Sequence, residues 1–354
     1  MTHGSRGRGA GRNTPNRFQQ HHFEPLDIEF PPAEEPAPVR TTYYRDASRT
    51  ILSKNDSPDI PFTFSVNPYR GCEHGCIYCY ARPSHEYLGF SAGLDFESKI
   101  MVKMDAPRLL DEAFRKRSWV AQTVALSGNT DCYQPIERHL QLTRQCLQVF
   151  LHYGNPAGIV TKNTLILRDL DILQEMARRN IIHVMISVTS LDPDLVRRME
   201  PRTPTPSKRL EAIEQLAAAG IPVGVNAAPI VPGLTDEEIP SILKAAADRG
   251  AMSAGYTLVR LPGPVETLFL DWLQREFPDR ARKIRSRIQQ TRDGKSTDSR
   301  FGTRMTGEGE IARTIKSLFD LHAAKYNLQD RLCGMSTDGF RKTEPPQRDL
   351  FDGR

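Results

Sequence analysis

The chain has 354 residues, of which 38% are hydrophobic and 26% are charged. This length allows at least one large core and exceeds the usual size of a single small domain. The formal net charge of +5 permits a polyanionic partner, but it excludes the dense positive charge of a dedicated nucleic-acid coat. We therefore expect one large domain with appendages.

The first 58 residues predict a flexible basic tail and an acidic, Pro-rich linker. Residues 1–22 hold four arginines and no acidic residue, so they cannot bury enough apolar surface to offset the entropy of ordering. The arginines could contact phosphates or only keep the chain in solution. The stretch FEPLDIEFPPAEEPAPVR (23–40) predicts an extended linker over the domain surface.

From residue 59 onward, short β-rich runs alternate with longer amphipathic segments. The predicted strands are PFTFSV (61–66), SKIMVK (98–103), QTVALS (122–127), GIVTKN (158–163), HVMISV (183–188), PVGVNAAPI (222–230) and GYTLVRL (255–261). Repeated strand–helix–strand units require right-handed crossovers and a parallel sheet. About six units in a row predict an α/β fold with a wound sheet or a barrel.

The C-terminal part predicts a helical extension over 266–330 and a loose polar tail over 331–354. Within the extension, RARKIRSRIQQTRDGKSTDSR (280–300) carries many basic residues. They favour a solvated helix face, with a nucleic-acid contact as the alternative.

Cellular location is predicted from cysteine usage and hydropathy. Six cysteines in a chain of this length are too few for a disulfide framework and favour a reducing compartment. The N-terminus lacks the apolar core of a signal peptide, and no later run approaches the roughly 18 apolar residues needed to span a bilayer. We expect a cytoplasmic protein without a membrane span.

Three of the cysteines, Cys72, Cys76 and Cys79, lie in the stretch RGCEHGCIYCYAR. A structural zinc site usually closes a tetrahedron with two spaced pairs of ligands, and no second pair follows. A zinc site with His74 as the fourth ligand remains an alternative, although one short loop would then have to wrap a single ion. A four-iron cluster held by three thiolates instead leaves one iron open to a ligand that is not protein.

With Tyr78 as its aromatic residue, CEHGCIYC matches the signature CxxxCxΦC of the radical S-adenosylmethionine (SAM) superfamily. The chain resembles this family over about residues 60–265, and CIYCYAR followed by SGNTDCYQPIE resembles its spore photoproduct lyase branch. The resemblance implies a partial, open (β/α)6 TIM-type barrel over 59–265, with its chemistry at the C-terminal rim. It also implies a [4Fe-4S] cluster on the three cysteines and SAM on the open iron.

The same resemblance implies which residues contact SAM. The segment SGNTD takes the place of the family's Gly-Gly-Glu motif, Lys162 resembles the lysine that neutralises the SAM carboxylate, and two later strands offer polar groups to the ribose or methionine. Tyr78 and Val259 are placed beside the adenine. The implied cofactor-binding residues are Tyr78, Ser127, Gly128, Asn129, Thr130, Asp131, Lys162, Ser187, Asn226 and Val259.

Two residues are candidates for direct roles in catalysis. Tyr80 follows the third cluster cysteine and resembles a tyrosine that helps to return hydrogen in the photoproduct lyase. Cys132 lies near the place of that enzyme's hydrogen-donating cysteine, although the direct match falls nearer Ser127 to Asn129, where this chain has no thiol.

We therefore expect a radical SAM enzyme that cleaves SAM reductively to a 5′-deoxyadenosyl radical and abstracts hydrogen from a substrate. The substrate is open, with a nucleic-acid lesion as one candidate. The expected partner is an external one-electron reductant of the flavodoxin or ferredoxin type. The alternative is a metal-stabilised nucleic-acid-binding protein without catalysis.

Overall fold

The computed structural model describes residues 7–18, 39–329 and 334–342 of the chain. The strands are β1 (Thr42–Arg45), β2 (Leu52–Lys54), β3 (Phe64–Val66), β4 (Tyr69–Arg70), β5 (Lys99–Val102), β6 (Val124–Leu126), β7 (Ala157–Thr161), β8 (Ile182–Ser187), β9 (Val223–Ile230) and β10 (Ser253–Leu258).

The helices alternate with most of these strands. They are α1 (Leu94–Ser98), α2 (Ala106–Arg115), α3 (Glu137–Leu140), α4 (Leu142–Tyr153), α5 (Leu170–Arg178), α6 (Pro193–Met199), α7 (Pro206–Ala218), α8 (Ile239–Ala247), α9 (Pro264–Glu276), α10 (Ala281–Gln290) and α11 (Gly309–Lys325). Gly154 and Asn180, which follow α4 and α5, have the left-handed φ values of 68° and 53° that stop a helix.

The main sheet of the described chain has seven strands in the order β10-β9-β8-β7-β6-β3-β2. The six strands β3, β6, β7, β8, β9 and β10 run parallel, and β2 pairs antiparallel with β3 at one edge. Because neighbouring strands follow each other in sequence, this order is that of a TIM-type barrel left open. The predicted α/β fold with six parallel strands is confirmed.

The segment SKIMVK forms a strand as predicted, but it lies outside the main sheet. It becomes β5, which pairs in parallel with β1 and antiparallel with β4 in a separate three-stranded sheet. Both β1 and β2 fall within the region predicted as tail and linker. Aromatic residues of TTYYR suit a strand, and β5 supplies an edge for it to join.

The hydrophobic core lies between the main sheet and the surrounding helices. Helix α4 turns buried side chains toward it at intervals of three and four residues, which is the spacing of one helix face. Phe114 of α2 packs edge-on against Phe150 of α4, with ring centroids 5.4 Å apart. Cys146 is 0% exposed in this core, where it packs as a small hydrophobe.

The chain ends differ from the predicted loose tails where the structure describes them. Residues 7–18 pack on the core, with Ala10 completely buried. Near the other end, the backbone N–H of Ser336 donates to Asn180 and that of Arg341 to Tyr153. The rest of both predicted tails lies outside the described residues. Within the described ranges, no helix is long and apolar enough to cross a membrane.

We predict that Leu147→Ala lowers the free energy of unfolding by about 2–5 kcal/mol, because Leu147 is 0% exposed in the core and the change leaves a cavity. The measurement is urea unfolding followed by circular dichroism. Gln148→Ala, one residue further on the exposed side of α4, is the matched control and should change stability by less than about 0.5 kcal/mol. Equal losses in the two variants would contradict the assigned helix face.

Candidate cluster and cofactor site

The three predicted metal ligands lie on one loop, residues 71–79, which follows β4. Its backbone is held at two points: the N–H of Cys72 donates to the carbonyl of Phe96 at 2.9 Å, and the N–H of Ile77 donates to that of Met199 at 3.0 Å. Gly75 has φ 67°, and a Cβ there would lie 2.7 Å from a carboxylate oxygen of Glu97. The loop is therefore a tight turn that requires glycine.

The cysteine side chains fit a cluster bound by three thiolates. Cys72 and Cys76 are 7% and 8% exposed, Cys79 is partly buried, and all three are free thiols. Burial raises the pKa of each thiol, that of Cys76 to about 12, so loading a metal displaces protons. Among the described residues, no three His, Cys, Asp or Glu side chains are placed to hold one metal ion, whereas a cubane offers each thiolate a different iron.

A buried ion pair lies beneath the cluster loop. Arg82 and Glu97 are both 0% exposed and pair directly. The guanidinium of Arg82 also donates to the carbonyls of Gly75, Cys76, Ala92 and Gly93, at 2.9–3.1 Å. Since these donors are directed at the loop backbone, the pair fixes the loop's conformation.

An N-terminal strap, residues 8–17, covers the same ion pair from outside. The backbone N–H groups of Gly9 and Ala10 donate to the two carboxylate oxygens of Glu97 at 3.0 and 2.8 Å. A Cβ at Gly9 would lie 1.9 Å from the carbonyl oxygen of Gly75. The strap thus lies directly against the cluster loop, although the sequence predicted this segment as a free tail.

The segment SGNTD follows β6 and forms a strained turn at the rim of the barrel. Ser127 has φ 96°, a left-handed value that is costly for a residue other than glycine. The side-chain oxygen of Asn67, just after β3, accepts from the N–H groups of Asn129 and Thr130 at 3.0 and 3.3 Å. The residue that follows β3 therefore fixes the turn that follows β6 and contains Gly128.

Asp131 is occupied by contacts within the protein. It accepts from Thr161 Oγ1 at 2.7 Å and from the backbone N–H of Lys162 at 2.9 Å, and it faces His74 Nδ1 at 3.4 Å. Burial alone would raise its pKa, but His74 and these hydrogen bonds outweigh it and lower the pKa to about 2. His74 Nε2 lies 3.0 Å from the Asn163 amide, so neither ring nitrogen of His74 is directed at the cysteines as a fourth ligand would be.

Lys162, at the end of β7, lies beside the aromatic residue of the cysteine motif. Its Nζ is 5.8 Å from the centroid of the Tyr78 ring. The Tyr78 hydroxyl donates to Glu200, which also pairs with Arg209 and accepts from Thr189 Oγ1 at 2.7 Å. These buried hydrogen bonds and the ion pair fix the position of the Tyr78 ring. The Lys162 ammonium group remains near the thiols.

The predicted ribose contacts form one row across the sheet. Ser187, the last residue of β8, is in register with Asn226 of β9, which in turn is in register with Gly255 of β10. Val259 lies just beyond β10, but its N–H donates to Ile230 at 2.9 Å and its carbonyl accepts from Arg292 at 3.0 Å. The structure therefore brings Ser187 and Asn226 together and leaves the Val259 N–H already engaged.

The two candidate catalytic residues have different surroundings. Tyr80 is 48% exposed, and its hydroxyl donates to the carbonyl of Gly128, so it connects the cluster loop with the rim. Cys132 is 0% exposed in the main core, and its backbone N–H donates to Ser127 Oγ at 3.1 Å. Its thiol is thus separated from the mouth of the barrel, and a hydrogen-donor role for it stays a prediction.

Several residues of the site were missed in the sequence. Asn67 directly follows a predicted strand. The argument that selected polar residues at the ends of later strands applies to it as well. Arg82 stands directly behind the cysteine motif, which was a further local signal. No local sequence pattern marked Glu97 or Glu200, because tertiary contacts decide which arginine each of them pairs with.

Comparisons with known proteins define the family. Residues 66–246 match the profile of the Radical SAM superfamily, so the chain belongs to it. Members use a [4Fe-4S] cluster and SAM, and this chain carries three free cysteines on one loop. The family generally needs an external reductant.

Individual relatives add the extent of the likeness. An uncharacterized protein of Mycobacterium tuberculosis is 37% identical over 247 residues, which are 69% of this chain and 73% of the relative. One of Methanocaldococcus jannaschii is 30% identical over 175 residues, 49% of this chain and 63% of that one.

Solved structures support the fold. A tyrosine-to-phenylalanine variant of spore photoproduct lyase matches with a TM-score of 0.58 at 16% identity, over 85% of each chain. A variant with bound AdoMet and dinucleoside spore photoproduct matches with a TM-score of 0.55 at 17% identity, over 84% of this chain and 85% of that one. At such identities the likeness concerns the fold.

We predict that Glu97→Gln destabilises the protein by about 3–5 kcal/mol, because the Arg82 charge is left buried without its counter-charge. The measurements are urea unfolding and the iron content after anaerobic reconstitution, which should also fall. Glu211→Gln, which removes one partner of an exposed pair with Lys208 on α7, is the control and should cost less than about 1 kcal/mol. A stable Glu97→Gln protein with full iron content would contradict the role of the ion pair.

Proposed function

We propose that this chain is an enzyme that cleaves SAM reductively and uses the resulting 5′-deoxyadenosyl radical to abstract hydrogen from a substrate. The observation that carries the proposal is the position of the cysteine loop: it contacts residues that follow the parallel strands β6, β7 and β8, among them a lysine that has no carboxylate partner among the described residues. In barrels of this type, the carboxyl ends of the strands carry the chemistry.

When bound, the cluster supplies one electron to the sulfonium of SAM at the open iron. The protein's own residues bind and orient SAM. The ammonium group of Lys162 binds the SAM carboxylate, because it lies near the thiols and Tyr78 holds it over a ring face. Ser187 and Asn226, adjacent in register, contact the ribose or methionine part. The turn around Gly128 offers backbone groups to the ammonium group of SAM.

The role of Asp131 in this proposal is indirect. Its oxygens already accept hydrogen bonds from Thr161 and from the backbone N–H of Lys162. Asp131 therefore acts as a positioning residue: it fixes the backbone from which the Lys162 side chain extends. The SAM amine is then left to the backbone of the SGNTD turn and to the side chains of Ser127, Asn129 and Thr130. The strain at Ser127 favours such a use, since strained residues concentrate at functional sites.

For the substrate, a nucleic-acid lesion is the proposed class. The shared fold with a lyase crystallised with a dinucleoside photoproduct supports it. Tyr80, half-exposed beside the cluster loop, is the proposed residue for handling hydrogen after abstraction. Cys132 could take part only after a local opening, because its sulfur is completely buried. The proposed electron donor is a flavodoxin or a ferredoxin.

We predict that Cys79→Ala abolishes both cluster binding and SAM cleavage, because two thiolates rarely retain a cubane. Wild-type protein purified without oxygen and reconstituted should hold about four iron and four sulfide per chain, and it should release 5′-deoxyadenosine with dithionite and SAM. Cys146→Ala, which removes a buried thiol outside the loop, is the matched control and should keep its iron. Zinc without iron would instead favour the non-catalytic nucleic-acid-binding alternative, and a full cluster without cleavage would refute the activity.

We predict that Lys162→Met weakens SAM binding by about 10- to 100-fold, because a charge-assisted contact with the carboxylate is lost. Equilibrium dialysis of the reconstituted, oxidised protein measures this directly. Lys208→Met removes the same charge from the exposed face of α7 and should leave the affinity unchanged. If Lys162→Met binds SAM as tightly as wild type does, the carboxylate contact is assigned to the wrong residue.

A further inference from the structure

Arg260 occupies a special position at the mouth of the barrel. It lies two residues beyond β10, the strand at one edge of the main sheet. Its guanidinium carbon is 5.2 Å from the centroid of the Tyr80 ring. Because Tyr80 also bonds to Gly128 beyond β6, this stack joins opposite sides of the open barrel next to the cluster loop.

Among the residues that the structure describes, Arg260 forms no hydrogen bond and no ion pair through its side chain; the Tyr80 ring is its contact. The neighbouring arginines are engaged by the protein, although the Nε of Arg292 is buried without a partner. Arg304 pairs with Asp59, Arg292 donates to four backbone carbonyls, and Arg300 pairs with two acids. The difference singles out Arg260 as the cation at this edge that is free to bind a ligand.

A partly buried guanidinium without an anionic partner is energetically unfavourable. Arg260 is partly buried, and burial lowers its pKa; the charge of Arg304 also lowers it, while Tyr80 and the carboxylate of Asp59 act in the opposite direction. Its five N–H donors lie in one plane, and stacking on Tyr80 covers a face of that plane without accepting from the donors at its edge. Donors that have lost part of their hydration require acceptors, and an anion supplies acceptors and charge together.

The chemistry favours phosphate as that anion. The guanidinium fork matches two phosphate oxygens, and Arg292 adds positive charge nearby, whereas Asp59 pairs with Arg304. SAM is not the source, since its carboxylate is assigned to Lys162 at the end of β7. From β7 to β10 is three strand spacings, roughly 14 Å along the sheet.

We propose that Arg260 binds a phosphate group of the substrate at the mouth of the barrel, with the Tyr80 ring supporting its guanidinium. This subsite rests on the proposed radical SAM activity, because it holds the substrate of that reaction beside the cluster loop. It also gives Tyr80 a second role: its ring orients Arg260 while its hydroxyl is held by Gly128.

The test measures binding to the oxidised, reconstituted protein, so it does not depend on SAM cleavage. The probe is a short fluorescein-labelled oligothymidylate followed by fluorescence anisotropy, with thymidine monophosphate and inorganic phosphate as competitors. Arg260→Met should weaken binding about tenfold and reduce the slope of log affinity against log salt by about 0.7. Arg260→Lys, which keeps the charge without the fork, should show an intermediate loss, and thermal unfolding checks that both variants fold.

Arg282→Met, on the exposed side of α10, removes the same charge and should bind the probe as wild type does. Displacement by the monophosphate as effective as that by unlabelled oligonucleotide identifies a phosphorylated small molecule as the source of the phosphate; displacement by the oligonucleotide alone identifies a nucleic acid. The proposal is overturned if Arg260→Met binds like wild type, if Arg282→Met loses as much, or if wild type binds none of the three phosphate probes. Release of 5′-deoxyadenosine by wild type is measured separately, so a failure of the activity is recognised as such.

Discussion

The buried ion pair between Arg82 and Glu97 is the interaction on which the cysteine loop depends. Both side chains are completely buried, and desolvating two charges is costly. The cost is offset because nearly all of their hydrogen-bonding capacity is used: Arg82 donates to loop carbonyls, and Glu97 accepts from the strap. A loop of nine residues that carries all three cysteines is thereby held in one conformation.

The loop is also tied to the far side of the barrel. Ile77 donates to Met199, and Tyr78 reaches Glu200, so the residues after β8 fix the second half of the motif. Both attachments lie between Cys76 and Cys79 in the chain. A cluster held by Cys72, Cys76 and Cys79 would therefore have a rigid support.

The mouth of the barrel separates two kinds of positive charge. Lys162 stands near the thiols, over Tyr78, where it suits the carboxylate of a small cofactor. Arg260 stands over Tyr80, further along the sheet, where it suits the substrate. Tyr78 and Tyr80 flank Cys79 in the chain, so one short motif supplies a metal ligand and two aromatic supports.

Local sequence patterns determined the cysteine motif, the six parallel strands and the positions of polar residues at their ends. These features depend on spacing and periodicity within short segments, which tertiary packing did not override. Only the tertiary structure decided that residues 8–17 form a strap, that β5 leaves the main sheet, that Cys132 is buried and that Glu97 and Glu200 find their arginines. Each of these outcomes depends on which distant segments meet in space, and no local pattern in the chain encodes that.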